Sequence, residues 1–128
     1  MLKRINAENV ARLKFFSHAV MAGEFIFVSG TLGMKPGKLE LVEGGIVPET
    51  LQTLRNMEAI LAACGASLED LVKVTVYLAD KNDFHAMNEA YESVVGVQEP
   101  PARITVGGAG LAFGAALEIE AVAYRPGT

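Results

Sequence analysis

The chain has 128 residues, 51% hydrophobic and 20% charged, a balance that fits one packed globular domain over 1–128 and excludes a disordered or fibrous chain. A formal net charge of -4, with no run of lysines and arginines, disfavours tracking a phosphate backbone, so no nucleic-acid partner is expected. The single cysteine, Cys64, excludes an intrachain disulfide and a cysteine-based zinc cluster and fits a reducing compartment.

In chain order, Ala19–Gly23 and Phe25–Gly30 read as two strands around a tight turn at Gly23-Glu24, a hairpin. The stretch 31–45 carries Gly33, Pro36, Gly37, Gly44 and Gly45, which predicts loop with one short strand around Leu39–Val42. Leu51, Leu54, Ile60 and Leu61 then recur at helical spacing. Pro48 suits a first helical turn and Gly65 the position just past the end, so a helix is expected over Pro48–Cys64. Ser67-Leu68-Glu69-Asp70 reads as a short capped turn. Leu71–Leu78 alternates Val72, Val74, Val76 and Leu78 against Lys73, Thr75 and Tyr77, a strand with one buried face.

Asn82 or Asp83 caps a second helix in which Phe84, Met87, Asn88, Tyr91 and Val95 share a side and which Gly96 ends. Two final strands, Ala102–Val106 and Ala115–Tyr124, flank a turn holding Gly107, Gly108, Gly110 and Gly114. The order β-β-(β)-α-β-α-β-β, with hairpins opening and closing the chain, predicts an α+β fold: a mixed sheet with two helices packed on one face. The other face needs a cover. Self-association supplies one if that face is semi-apolar, so a homo-oligomer is expected. No segment approaches the ~20 apolar residues that span a bilayer, and none has the form of a signal peptide, so a cytoplasmic protein without a membrane partner is expected.

Strand parity constrains the chemistry. Arg103 and Thr105 point to one side of their strand and Ile104 and Val106 to the other; Glu118 and Glu120 share a side opposite Leu117, Ile119 and Ala121. A symmetric hairpin centred between Gly110 and Leu111 would set Arg103 opposite Glu118. The pair is then either a cross-strand ion pair or a site for a small carboxylic acid. In the second case the planar guanidinium grips a carboxylate bidentately while the glutamate accepts a proton or orients a water.

Other candidates divide similarly. Ser29 belongs either to a cleft rim or to a strand-end turn, and Asn88 either reaches the cleft or is satisfied by solvent. His18 either lines a pocket or is bonded to backbone, His85 reads as exposed, and the two lack metal-ligand spacing. Cys64 reads as a small buried hydrophobe. The glycines at 107–114 lack the strand-loop-helix context of a phosphate cradle, and no Ser-His-Asp or Cys-His arrangement can be recognised.

Ser29-Gly30, the strand Val72–Leu78 followed by Asn82-Asp83-Phe84, Met87-Asn88-Glu89-Ala90-Tyr91, Pro101-Ala102-Arg103 and Glu118-Ile119-Glu120-Ala121 occur in an order and spacing that resemble the RidA/YjgF reactive-intermediate (enamine/imine) deaminases. The resemblance runs over residues 16–124 and is carried by the series, not by any one piece. It implies a chorismate-mutase-like fold assembled as a homotrimer with ligand clefts between neighbouring subunits. It also implies hydrolysis of enamines and imines such as 2-aminoacrylate and 2-iminobutanoate, released by pyridoxal-phosphate dehydratases, to 2-oxo acids and ammonia.

Neither cofactor nor metal is expected in such a deaminase. By the same resemblance Arg103 grips the carboxylate of the small-molecule substrate, Glu118 positions the hydrolytic water, and Phe16, Ser29, Gly30, Asn88 and Thr105 border the ligand. Thr105 stands where the family often has cysteine, Phe16 where it often has tyrosine and Thr31 where glutamine is frequent, which leaves the substrate open. Two other functions fit the residues: a non-catalytic binder of small carboxylates in which Glu118 is structural, and a ribonuclease or translation inhibitor, a label the wider family has carried and against which the acidic balance argues.

Overall fold

The first strand is one that alternation does not announce: Leu2–Ile5, short and charged, forms β1 by pairing antiparallel with β2, Ala19–Ala22. The structure, a computed structural model, describes residues 2–126. Gly23, at a φ of 62° that suits glycine, turns the chain from β2 into β3, Phe25–Thr31, as the expected hairpin. Beyond β3 the anticipated short strand at 39–42 reduces to a single bridge between Met34 and Leu41.

Helix α1 spans Ile46–Ala63 and begins two residues before Pro48. Pro48 still lies in the first turn, where N–H groups have few intrahelical partners to lose. At the other end Gly65, with φ 77°, follows Cys64. A capping box from Ser67 and Asp70 starts a single 3-10 turn, Leu68–Asp70, that leads into β4, Leu71–Leu78. Asp80, not Asn82, caps the next 3-10 turn, which runs into α2, Phe84–Val95; Asp83 holds the N-cap position of α2 without a side-chain bond. Strands β5, Ala102–Val106, and β6, Leu117–Tyr124, complete a six-stranded sheet of order β1-β2-β3-β6-β4-β5.

That order overturns the closing hairpin. β5 pairs parallel with β4, and β6 pairs antiparallel with both β4 and β3, so β4 lies between the last two strands. The physical reason is α2: a helix between β4 and β5 forms a crossover that sets them side by side in parallel, leaving the other edge of β4 for β6. A second correction concerns Val72, which is exposed. The β4–β6 register shifts between Leu71 and Lys73, so Leu71 joins Val74, Val76 and Leu78 on the buried face.

Both helices cover one sheet face. Leu54, Met57, Ile60 and Leu61 of α1 and Met87 and Tyr91 of α2 pack on Ile26, Val28, Val74, Val76, Leu117 and Ile119. The inward side of α1 also carries buried polar groups that tie down the segments bordering the site. Asn56 donates from Nδ2 to the carbonyls of Leu32 and Met34, each at 3.0 Å, and Glu49 accepts from the backbone N–H of Ala116 at 2.9 Å. On the uncovered sheet face Phe25, Phe27, Ile104, Val106 and Tyr124 stay largely exposed, Phe27 by 48% and Ile104 by 52%. No helix among the described residues is long and apolar enough to cross a membrane.

Candidate functional site

The β-bulge in β3 organises one half of the site. The β3–β6 register shifts between Val28 and Thr31, and within that stretch Gly30 comes against Glu118 of β6. A Cβ at Gly30 would collide with the Glu118 carboxylate and sit 2.9 Å from its Cδ, so the close approach requires glycine. Ser29 donates its hydroxyl to the carbonyl of Ser17 at 2.6 Å, and its N–H to the carbonyl of His18 at 3.0 Å, which fastens the 6–18 segment over the bulge. Phe16, Ser29, Gly30 and Glu118 thereby line one cavity of about 140 Å³, closed on other sides by the loop at 31–39, α1 and Ala112-Phe113.

Glu118 is half-buried, and among the described residues no donor or cation pairs with its carboxylate. Loss of solvent, reinforced by the nearby charge of Glu120, holds its pKa above the ordinary 4.5. A carboxylate with a raised pKa and no partner is suited to take and return a proton. His18, in contrast, is committed: Nδ1 accepts from the N–H of Ala7 and Nε2 bonds the carbonyl of Ala11, both at 2.9 Å. Both alternatives hold: His18 lines the cavity, with its ring nitrogens bonded to backbone.

The other half lies elsewhere on the chain. Arg103 is in register with Val74, and Thr105 with Val76, so both point to the helix-covered face. Glu118 alternates with Leu117 and Ile119, which are buried on that same face, and so points to the opposite one. The cross-strand ion pair is therefore excluded, because β4 separates the two strands and the side chains leave the sheet in opposite directions. Among the described residues no carboxylate lies within ion-pairing distance of Arg103.

Instead Arg103 donates from Nη2 to Oδ1 of Asn88 at 2.7 Å, and its guanidinium carbon lies 5.0 Å from the ring centroid of Tyr91. Asn88 is thus not a solvent-satisfied helix residue: it holds the guanidinium. Pro100 and Pro101 border the same groove. Thr105 opens onto a neighbouring depression with Asn82, Phe84 and His85. The candidate residues fall into two groups, Phe16-Ser29-Gly30-Glu118 and Asn88-Arg103-Thr105, that one copy of the chain does not bring together. Sequence reading missed two members: Tyr91, whose ring underlies Arg103, and Phe113 at the cavity mouth. Tyr91 had a signal in its position one helical turn from Asn88; Phe113 had none. Among the described residues no group of three or more His, Cys, Asp or Glu side chains is placed to hold a metal ion.

Comparison with known proteins decides the family. Residues 7–125 match the family model described as Endoribonuclease L-PSP. Human 2-iminobutanoate/2-iminopropanoate deaminase is 44% identical over 110 residues, covering 86% of this chain and 80% of that protein. The chain belongs to the RidA/YjgF family. Among solved structures, RidA from the Antarctic bacterium Psychrobacter sp. superposes with a TM-score of 0.86 at 37% identity, over 95% of this chain and 98% of that one. E. coli TdcF, solved with bound serine, superposes with a TM-score of 0.88 at 31% identity, over 96% of this chain and 98% of that one. This RidA/YjgF chain accordingly has the mixed sheet and two helices of its relatives.

Proposed function

We propose that this protein hydrolyses reactive 2-imino acids and their enamine tautomers, of the 2-aminoacrylate and 2-iminobutanoate type, to 2-oxo acids and ammonia. The observation that carries the reading is an unpartnered Glu118 carboxylate with a raised pKa, seated against Gly30, in a chain 44% identical to a deaminase of such imines. The reaction needs little covalent help from the protein, because a protonated imine carbon is already electrophilic; positioning and proton management suffice. Glu118 accepts a proton from water as the oxygen attacks C2 and returns it to nitrogen; it then takes the remaining hydroxyl proton as the carbonyl forms and ammonia leaves.

The substrate carboxylate is gripped by Arg103. Since Arg103 and Glu118 leave one sheet on opposite faces, the two act on one molecule only when different copies supply them. The exposed apolar face of Phe27, Ile104 and Val106 supports such an assembly, read here as a homotrimer with three inter-subunit clefts acting in the cytoplasm. Adding the protein to a threonine dehydratase reaction is expected to accelerate 2-oxobutanoate release above the spontaneous rate. No acceleration overturns the reading, and ligand-induced thermal stabilisation without turnover favours a non-catalytic carboxylate binder. The ribonuclease description of the family model finds less support, since the chain is acidic and carries no run of lysines and arginines to track a phosphate backbone.

The close approach of Gly30 to Glu118 makes a further expectation specific. Gly30→Ala forces the carboxylate aside, and a displacement of about 1 Å is expected to cost on the order of 10²-fold in kcat. Circular dichroism should remain that of wild type, because the collision is with the end of a flexible side chain and not with backbone.

A further inference from the structure

We infer that the cavity beside Glu118 is the subsite for the side chain of the substrate, and that it selects 2-imino acids whose side chain is large and apolar, of isobutyl to benzyl size. The inference rests on the deaminase reading and narrows it. Leu13, Phe16, Leu39, Ile60 and Phe113 contribute to the walls, and at about 140 Å³ the space is comparable to the ~150 Å³ apolar cavity that accommodates benzene. An ethyl or methyl group would leave most of it to water.

The polar side chains of the cavity have already spent their donors. Ser29 donates to the carbonyl of Ser17 and Thr31 to that of Ser29. Asn56 donates both N–H bonds, to Leu32 and Met34, and both ring nitrogens of His18 are bonded to backbone. Among the described residues Glu118 is the one polar side chain there with no protein partner. A substrate whose C2 sits at Glu118 therefore directs its side chain among wall side chains that have no free N–H or O–H to offer. An amide or charged group would enter without a hydrogen bond, whereas an aliphatic or aromatic group gains burial.

Two further observations favour selection at the mouth of the cavity. Phe113 takes a left-handed backbone conformation, φ 62° and ψ 12°, that is costly for a bulky side chain and that holds its half-exposed ring beside the opening. Phe16 is also about half exposed, at 43%, and lines the same cavity. Two aromatic rings at the entrance suit an apolar side chain passing between solvent and the interior.

The test generates imines in place from phenylalanine, leucine, alanine and glutamine with an L-amino-acid oxidase and catalase, and follows their decay by semicarbazide trapping with and without the protein. The phenylalanine and leucine imines are expected to show kcat/KM at least about tenfold above the alanine imine, with the glutamine imine lowest. Phe113→Asn removes the ring while keeping a residue that tolerates the left-handed region, and is expected to shrink the phenylalanine-to-alanine ratio several-fold, by about the worth of one lost apolar wall. An alanine imine turned over as fast as the larger two, or a ratio unchanged in Phe113→Asn, overturns the subsite and leaves the deaminase reading standing. Acceleration of none of the four overturns both.

Discussion

Glu118→Gln is expected to lower kcat by about 10²–10⁴-fold, the usual contribution of a positioned acid or base, while raising thermal stability at pH 7. The two effects share one cause. Burial and the charge of Glu120 hold the folded-state pKa of Glu118 above its ordinary 4.5, so between those values the folded chain binds more protons than the unfolded one. Stability owed to this group is therefore lost as pH rises from 4.5 through the raised folded value, and the loss persists at neutral pH. Glutamine keeps the shape and carries no charge to desolvate. The difference in melting temperature between Glu118→Gln and wild type should be small at pH 4, grow with pH, and level off above the folded pKa. The wild-type kcat/KM, which needs the ionised form to take a proton from water, should fall on the acid side at a pH above 4.5. A variant less stable than wild type at pH 7, or one that keeps its turnover, would show that Glu118 is structural.

Arg103→Ala is expected to reduce kcat/KM by about 10²–10³-fold, the effect of removing a bidentate charged partner worth several kcal/mol. Its melting temperature should stay close to that of wild type, because among the described residues the guanidinium pairs with no carboxylate that its loss would strand. Arg103→Lys keeps the charge and loses the planar fork, so it should recover only part of the loss. Asn88 and Tyr91 act through Arg103: the amide oxygen fixes Nη2 at 2.7 Å and the ring supports the guanidinium from 5.0 Å. Asn88→Ala is accordingly expected to raise KM more than it lowers kcat, and by roughly a factor of ten, the weight of a single charged hydrogen bond.

What could be read before the structure followed the range of the interactions concerned. β4 and β5 were expected at their observed boundaries, because alternation of Val74 and Val76 with Lys73 and Thr75 is a local signal, as is the Gly23 turn between β2 and β3. β1 escaped because Leu-Lys-Arg-Ile is too short and charged to alternate, and its strand character comes from the edge of β2. The closing hairpin was wrong for the same kind of reason: strands adjacent in sequence need not be adjacent in the sheet, and α2 places β5 on the far edge of β4. The polar stripe of α1 was also invisible, since the backbone partners of Asn56 and Glu49 lie 22 to 67 residues away.

The candidate site shows the same division. Parity correctly grouped Arg103 with Thr105 and set Glu118 out of phase with Leu117 and Ile119, but parity within a strand cannot say which face of the sheet each strand presents. Register across β4 supplies that link, through Val74 with Arg103 on one side and Ala121 on the other. It turned one imagined pair into two half-sites. Phe113 lay beyond any pattern, since nothing in Ala112-Phe113-Gly114 announces that the phenylalanine will take a positive φ.

In the proposed reaction Arg103 and Glu118 act on one substrate from different copies of the chain. The direct measurement co-expresses differently tagged Arg103→Ala and Glu118→Gln chains, isolates the mixed assemblies through both tags, and assays imine hydrolysis. Each variant alone presents only defective clefts. A cleft built by an Arg103-bearing copy beside a Glu118-bearing copy is intact; each mixed trimer holds one such cleft in three, so about a third of wild-type activity should return. Mixed assemblies no more active than the two variants measured separately would contradict a shared site.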